Sequence, residues 1–277
     1  VYPPWEQHQK KIDAYLKGQN PAKSVLHRIA YEAQIPAVLK QSDGTLVPQE
    51  TDNLMARIYA HVKQVAPGLI FTLQTDNAAK VAVLSKCCDV FEVASYSSSY
   101  AQNMVPKLRE DMERVAGSVP PGKPVIFWLG GTIPNTSCRL AEELRCGVYM
   151  SIAYGFAGNI FHMGHGFLPS ECSRLWSLIS GINAEVQRFY PAFVRGKNAA
   201  GFVRKAPADS FVWKAVDTGE AVLLLAVNTA SSENTLEVKV DAKSVRLYDS
   251  PAETSLADGV FKDVFTPYEA KVFVFRK

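Results

Sequence analysis

Nowhere does the sequence run to the roughly 18–20 consecutive apolar residues that a helix needs to cross a bilayer. Its most apolar segment, Val148–Ile160, is broken by Ser151, Gly155 and Gly158, so no membrane partner is expected. Charge of one sign is equally scarce. The 30 Lys and Arg against 27 Asp and Glu leave +3, spread along the chain, which offers no basic field for a phosphate backbone and argues against a nucleic-acid partner. Cysteines number five, odd and without zinc-like spacing, so neither a disulfide framework nor a metal site is read. The adjacent Cys87 and Cys88 read as small buried apolar residues ahead of a strand. No phosphate loop is present, since Gly130-Gly131 lacks the Lys-Ser/Thr that would follow it. No cofactor is implied. The chain opens on Val1 with no basic-then-apolar leader, and the expectation is that its start is a cut, with any targeting segment removed or upstream. Compartment and localisation are not legible.

What is present is an ordinary globular composition, 47% hydrophobic and 21% charged over 277 residues, enough for one barrel or two smaller domains. Apolar residues at helical spacing run through Ile12–Leu16 and Val25–Leu39, the second stretch closing near the turn dipeptide Asp43-Gly44. Short β-rich runs then alternate with helices, which is the sign of parallel β/α units. Strands are expected at Leu69–Gln74, Val90–Tyr96, Val125–Leu129 and Gly158–Met163, each nearly continuous in apolar residues as strands buried on both faces are. Helices are expected at Asn53–Gln64, Val105–Val115, Arg139–Tyr154 and Ser173–Phe189, the last ending at Tyr190-Pro191. Beyond Gly196 the texture changes. Phe211–Ala215, Ala221–Val227, Thr235–Val240, Val245–Tyr248, Val260–Val264 and Ala270–Phe275 read as an antiparallel sandwich or meander. The expected division is a β/α portion over 1–195 and an all-β domain over 196–277.

Several of these segments carry a resemblance. Ala141–Phe161, with Glu142, Glu143, Arg145, Tyr149, Ala153, Gly155, Gly158 and Ile160, resembles the final helix and strand of clan-A-like glycoside hydrolase (β/α)8 barrels. Asp89–Tyr96 looks like their sixth strand, opened by an Asp and closed by a Tyr at the catalytic face, and Pro124–Trp128 looks like the seventh. The tail Gly259–Tyr268 is similar to the closing hairpin of the β-domain that often follows such barrels. The match covers about the last three-quarters of the chain through diffuse patterns. It implies the C-terminal half of a barrel, partial or degenerate, followed by an antiparallel β-sandwich domain, and a protein that acts on or binds an oligosaccharide or glycoside.

Length sets a limit on that reading. A whole barrel takes about 250 residues, whereas about 195 precede the β-domain, so four strands are missing or unrecognisable, with Ile35–Leu46 as the place for one degenerate strand. A half-barrel exposes sheet edges. The expectation is an upstream half-barrel, a second copy of the chain, or helices from Val1–Gln41 covering them.

Function in such barrels sits at the C-terminal ends of the strands. There the sequence places Gln74 and Asp76 after the first readable strand, Tyr96 after the second, Trp128 after the third, and His162 and His165 after the fourth. Donors, acceptors and aromatic faces suit sugars, so Gln74, Tyr96, Trp128, His162 and His165 are the candidate substrate contacts. Glycosidic cleavage usually needs two carboxyls, about 5–5.5 Å apart for retention or about 6.5–9.5 Å for inversion. The resemblance implies a Glu at the end of the seventh strand, yet the chain reads Phe127-Trp128-Leu129-Gly130-Gly131-Thr132. The remaining catalytic candidates are Asp76, Glu92 and Glu50.

Each has a plainer reading. Asp76 caps the next helix, Glu92 is a paired polar group inside a strand, and Glu50 is a solvated carboxylate at a helix start. His162 and His165 are loop histidines bonded to backbone, Tyr96 and Trp128 are core or lid aromatics, and Arg145 forms a helix-surface ion pair with Glu142. Three classes stay open: a glycosidase completed by an upstream segment, a non-catalytic or degenerate carbohydrate-binding barrel, and a barrel of unrelated chemistry.

Overall fold

The alternation of apolar runs and amphipathic stretches becomes a β/α portion followed by antiparallel sheets. The computed structural model describes residues 13, 38–40, 46–48, 51–75, 80–95, 104–130, 132–133, 137–138, 141–162, 173–203, 210–256 and 258–277. Their elements are, in chain order, β1 (Val38–Lys40), β2 (Leu46–Pro48), α1 (Thr51–Val65), β3 (Thr72–Thr75), α2 (Val81–Leu84), β4 (Val90–Ala94), α3 (Met104–Ser118), β5 (Val125–Gly130), β6 (Thr132–Ile133), β7 (Ser137–Cys138), α4 (Ala141–Ala153), β8 (Gly158–His162) and α5 (Ser173–Arg195). Then follow β9 (Lys197–Asn198), β10 (Phe211–Asp217), β11 (Ala221–Asn228), β12 (Asn234–Lys239), β13 (Ser244–Leu247), β14 (Glu253–Ser255), β15 (Val260–Phe265) and β16 (Ala270–Arg276). A parallel sheet of order β3-β4-β5-β8 is followed by a six-stranded antiparallel sheet, β14-β13-β16-β11-β10-β9, and a two-stranded one, β12-β15. This is a partial barrel followed by a β-domain. The expected strands agree with the observed ones to within a few residues.

The chain divides into two compact units, Val1–Ala94 with Arg114–Phe127, and Ser95–Glu113 with Trp128–Lys277. In the first, β1 and β2 pair antiparallel, Val38 opposite Pro48. Val38 and Leu39 close an expected helical stretch and also fall in Ile35–Leu46, the expected place of a degenerate strand; the strand is what forms at Val38–Lys40 and the helical reading is corrected there, since a β-branched Val beside Leu extends readily once a second short apolar run, Leu46–Pro48, lies opposite to share its hydrogen bonds. Strand β4 opens on Asp89, whose carboxylate accepts from the Tyr59 hydroxyl at 2.8 Å, the Lys63 ammonium at 3.0 Å and the Phe71 amide at 2.8 Å. Burial works to raise the Asp89 pKa, but these three donors outweigh it and hold the group below the usual carboxylate range. Asp89 thus fastens α1 to the N-terminal ends of β3 and β4. Cys87 and Cys88 are buried just before β4, as expected.

In the second unit α4 lies close to both α3 and β5 because position 147 is glycine: a Cβ there would meet Leu108 at 3.0 Å and Leu129 at 3.2 Å. The helix ends at Gly155, whose φ of 82° only glycine adopts freely, with Phe156 N–H bonding Ser151 O at 2.9 Å and Gly155 N–H bonding Ile152 O at 3.0 Å. Helix α5 runs past the expected stop at Tyr190-Pro191 to Arg195. The cause is its apolar stripe: Leu175, Ile179, Ile182, Phe189 and Phe193 are all buried, and stopping at Tyr190 would release Phe193. Pro191 and the Gln187 carbonyl it cannot bond fall on the exposed side, where water can serve that carbonyl.

A second correction concerns Arg145. Instead of pairing with Glu142 on its own helix, it binds Glu185 of α5 through two bonds, one of them from Nε at 3.0 Å, and donates to Ala270 O at 2.5 Å and the Tyr149 hydroxyl at 3.1 Å. A guanidinium can serve three elements at once because its five donors are splayed in one plane. From residue 210 onward every regular element among the described residues is a strand. Phenylalanines fill the space between the two antiparallel sheets, with Phe261 and Phe273 ring centres 4.8 Å apart and Phe211 and Phe265 5.1 Å apart.

Candidate functional site

Parallel strands alternate their side chains, and β3 and β4 are in a register that sets Leu73 beside Phe91, Gln74 beside Glu92 and Thr75 beside Val93. Leu73, Phe91 and Val93 are buried and share a face with Phe71, which packs on Tyr59 of α1 with ring centres 5.8 Å apart. Thr72, Gln74 and Glu92 therefore stand on the other face. Glu92 is only 4% exposed, and Gln74 is half-buried. A carboxyl taken out of water must be hydrogen-bonded or neutralised, and an amide in the adjacent register position, about 4.8 Å away along the sheet, is chemically suited to either form. Two sequence-expected residues, Gln74 and Glu92, are thus brought side by side.

The other candidates fare differently. Trp128 lies in β5 between the buried Phe127 and Leu129, and Leu129 reaches toward Gly147 of α4, so the indole stands on the opposite face of the strand. It is only 8% exposed, which leaves an edge and not a flat platform for a ligand. His162 ends β8, and its side chain is not among those described. Asp76, Glu50, Tyr96 and His165 lie outside the described residues, as does Gly131, so the loops meant to complete the site are not part of the described geometry.

One buried carboxylate was missed. Asp111, 6% exposed, accepts the hydroxyl of Ser95 at the end of β4, with the Lys107 ammonium 3.8 Å away. The signal was available: Asp111 falls on the same stripe of α3 as the buried Met104, Leu108, Met112 and Val115, where a charge is out of place unless it has a partner. On the same helix Arg109 binds Glu113 at 2.9 Å and the Thr229 hydroxyl at 3.0 Å. Burial, opposed only in part by Lys123, pushes the Cys88 thiol up to about 12, and burial likewise raises Cys146. Neither supplies a thiolate nucleophile at neutral pH. Among the described residues no group of three His, Cys, Asp or Glu side chains could hold a metal ion, and no helix is long and apolar enough to cross a membrane.

No protein-family model and no curated protein sequence matches the chain. Solved structures do. A maltogenic α-amylase, AmyB from Thermotoga neapolitana, is 13% identical with a TM-score of 0.60, the alignment covering 99% of this chain and 66% of that one. An α-amylase from H. orenii is 12% identical with a TM-score of 0.57, covering 98% and 64%. AmyP, solved in complex with maltose, is 11% identical with a TM-score of 0.53, covering 80% and 61%. The chain therefore spans about three-fifths to two-thirds of the length of these proteins. Its fold is that of the amylase-type glycoside hydrolases, a β/α barrel portion followed by an antiparallel β-domain.

Proposed function

We propose that this chain is a carbohydrate-acting barrel protein that takes a neutral oligosaccharide or glycoside at the C-terminal face of its barrel portion. The observation that carries the reading is the fold shared with amylases over nearly the whole chain at a TM-score of 0.60, and one of the similar proteins is solved with maltose bound. In this reading residues 1–195 form the barrel portion and 196–277 the β-domain. Glu92 transfers the proton to or from the glycosidic oxygen, Gln74 beside it holds a sugar hydroxyl, and Asp76 or Glu50 supplies the second carboxyl that an oxocarbenium-like transition state requires. Tyr96, His162, His165 and the edge of Trp128 make the remaining substrate contacts, without metal or cofactor.

A second reading is non-catalytic binding. It is favoured by Trp128-Leu129-Gly130-Gly131-Thr132, which has no carboxylate where the resembled barrels carry one. One experiment separates the two. Hydrolysis of maltohexaose by the full chain is followed by product chromatography, and its binding by calorimetry, for wild type and Glu92→Gln. Turnover lost in the variant with binding kept supports catalysis through Glu92. Binding without turnover in both supports the degenerate barrel, and neither binding nor turnover sinks the carbohydrate reading.

A further inference from the structure

We draw no further inference here: the strongest candidate, the cleft of about 460 Å³ in the β-domain between the β13–β14 pair and β15, where Leu247 is left exposed beside Phe261 and Phe273, is an unpartnered apolar face, and nothing in the structure shows what covers it.

Discussion

At the scale of single residues, burial decides what a side chain can be asked to do. Trp128 was expected to stack a sugar and is almost fully covered. Trp128→Ala should therefore cost about 3–5 kcal/mol in a denaturant melt through the cavity it leaves, while Trp128→Phe keeps the core and reports on ligand contact alone. A change below about 1 kcal/mol on Trp128→Ala would show that the indole is not packed as described. Lys214 is a second case. Half-buried in β10, its ammonium nitrogen lies 3.6 Å from where a Cβ on Gly155 would stand, and burial lowers its pKa. A lysine whose folded pKa falls below its unfolded value of about 10.4 destabilises the charged folded form. The penalty is complete at neutral pH and disappears as pH rises through the folded pKa toward the ordinary one. Lys214→Met should thus melt higher than wild type at pH 7, with the difference narrowing above pH 9, whereas a lower melting temperature would mean that the ammonium has a favourable partner.

Elements are joined here by a few multidentate groups more than by periodicity. Arg145 connects α4 to α5 through Glu185 and to β16 through the Ala270 carbonyl. Burial tends to raise the Glu185 pKa, but the Arg145 and Tyr149 hydrogen bonds outweigh it and hold it below the ordinary value. Arg145→Met strands a partly buried carboxylate and an unpaired carbonyl. The expected loss at pH 7 is about 1–3 kcal/mol, less than for a fully enclosed pair because both side chains still meet solvent. A carboxyl with a depressed folded pKa contributes stability above its unfolded value near 4.3 and loses it as pH falls through the folded one. Urea melts at pH 7 and pH 3 should therefore show the gap between wild type and variant shrinking at acid pH, and a gap of constant size would refute the ion pair as its source. Sequence reasoning assigned Arg145 to Glu142 because i,i+3 neighbours on one helix are all that spacing reveals. Glu185 is 40 positions away, and only packing brings it near.

At the scale of the whole molecule the question is whether this chain alone has the carboxyls that cleavage needs. One carboxyl can protonate a leaving group or attack the anomeric carbon, yet the transition state requires both tasks together, and general acid assistance by itself gives about 10²–10⁴-fold. Nothing between Trp128 and Thr132 supplies the second group. With the proposed second carboxyl, Asp76 or Glu50, coming from elsewhere in the sequence, the purified chain should hydrolyse aryl glycosides slowly, which release of nitrophenol from a panel of such substrates would measure. Robust turnover abolished by changing both Asp76 and Glu92 would show that these carboxyls suffice without one between Trp128 and Thr132.

Much of the architecture was determined by the sequence, because strand and helix existence depends on local periodicity. Four parallel strands, the helices between them, and the shift to alternating strands beyond Gly196 are each written in runs of fewer than twenty-five residues, and Gly147 and Gly155 sit where close approach and a left-handed turn require them. Other features came only with tertiary structure. The continuation of α5 through Pro191 is set by the burial of Phe193, the β1–β2 hairpin by cross-strand pairing, the Gln74–Glu92 register by neighbouring strands, and the Asp111–Ser95 and Arg145–Glu185 bonds by contacts between elements. Each depends on residues distant in the chain, whose competing energies of packing, hydrogen bonding and desolvation take a definite value only once the fold has brought them together.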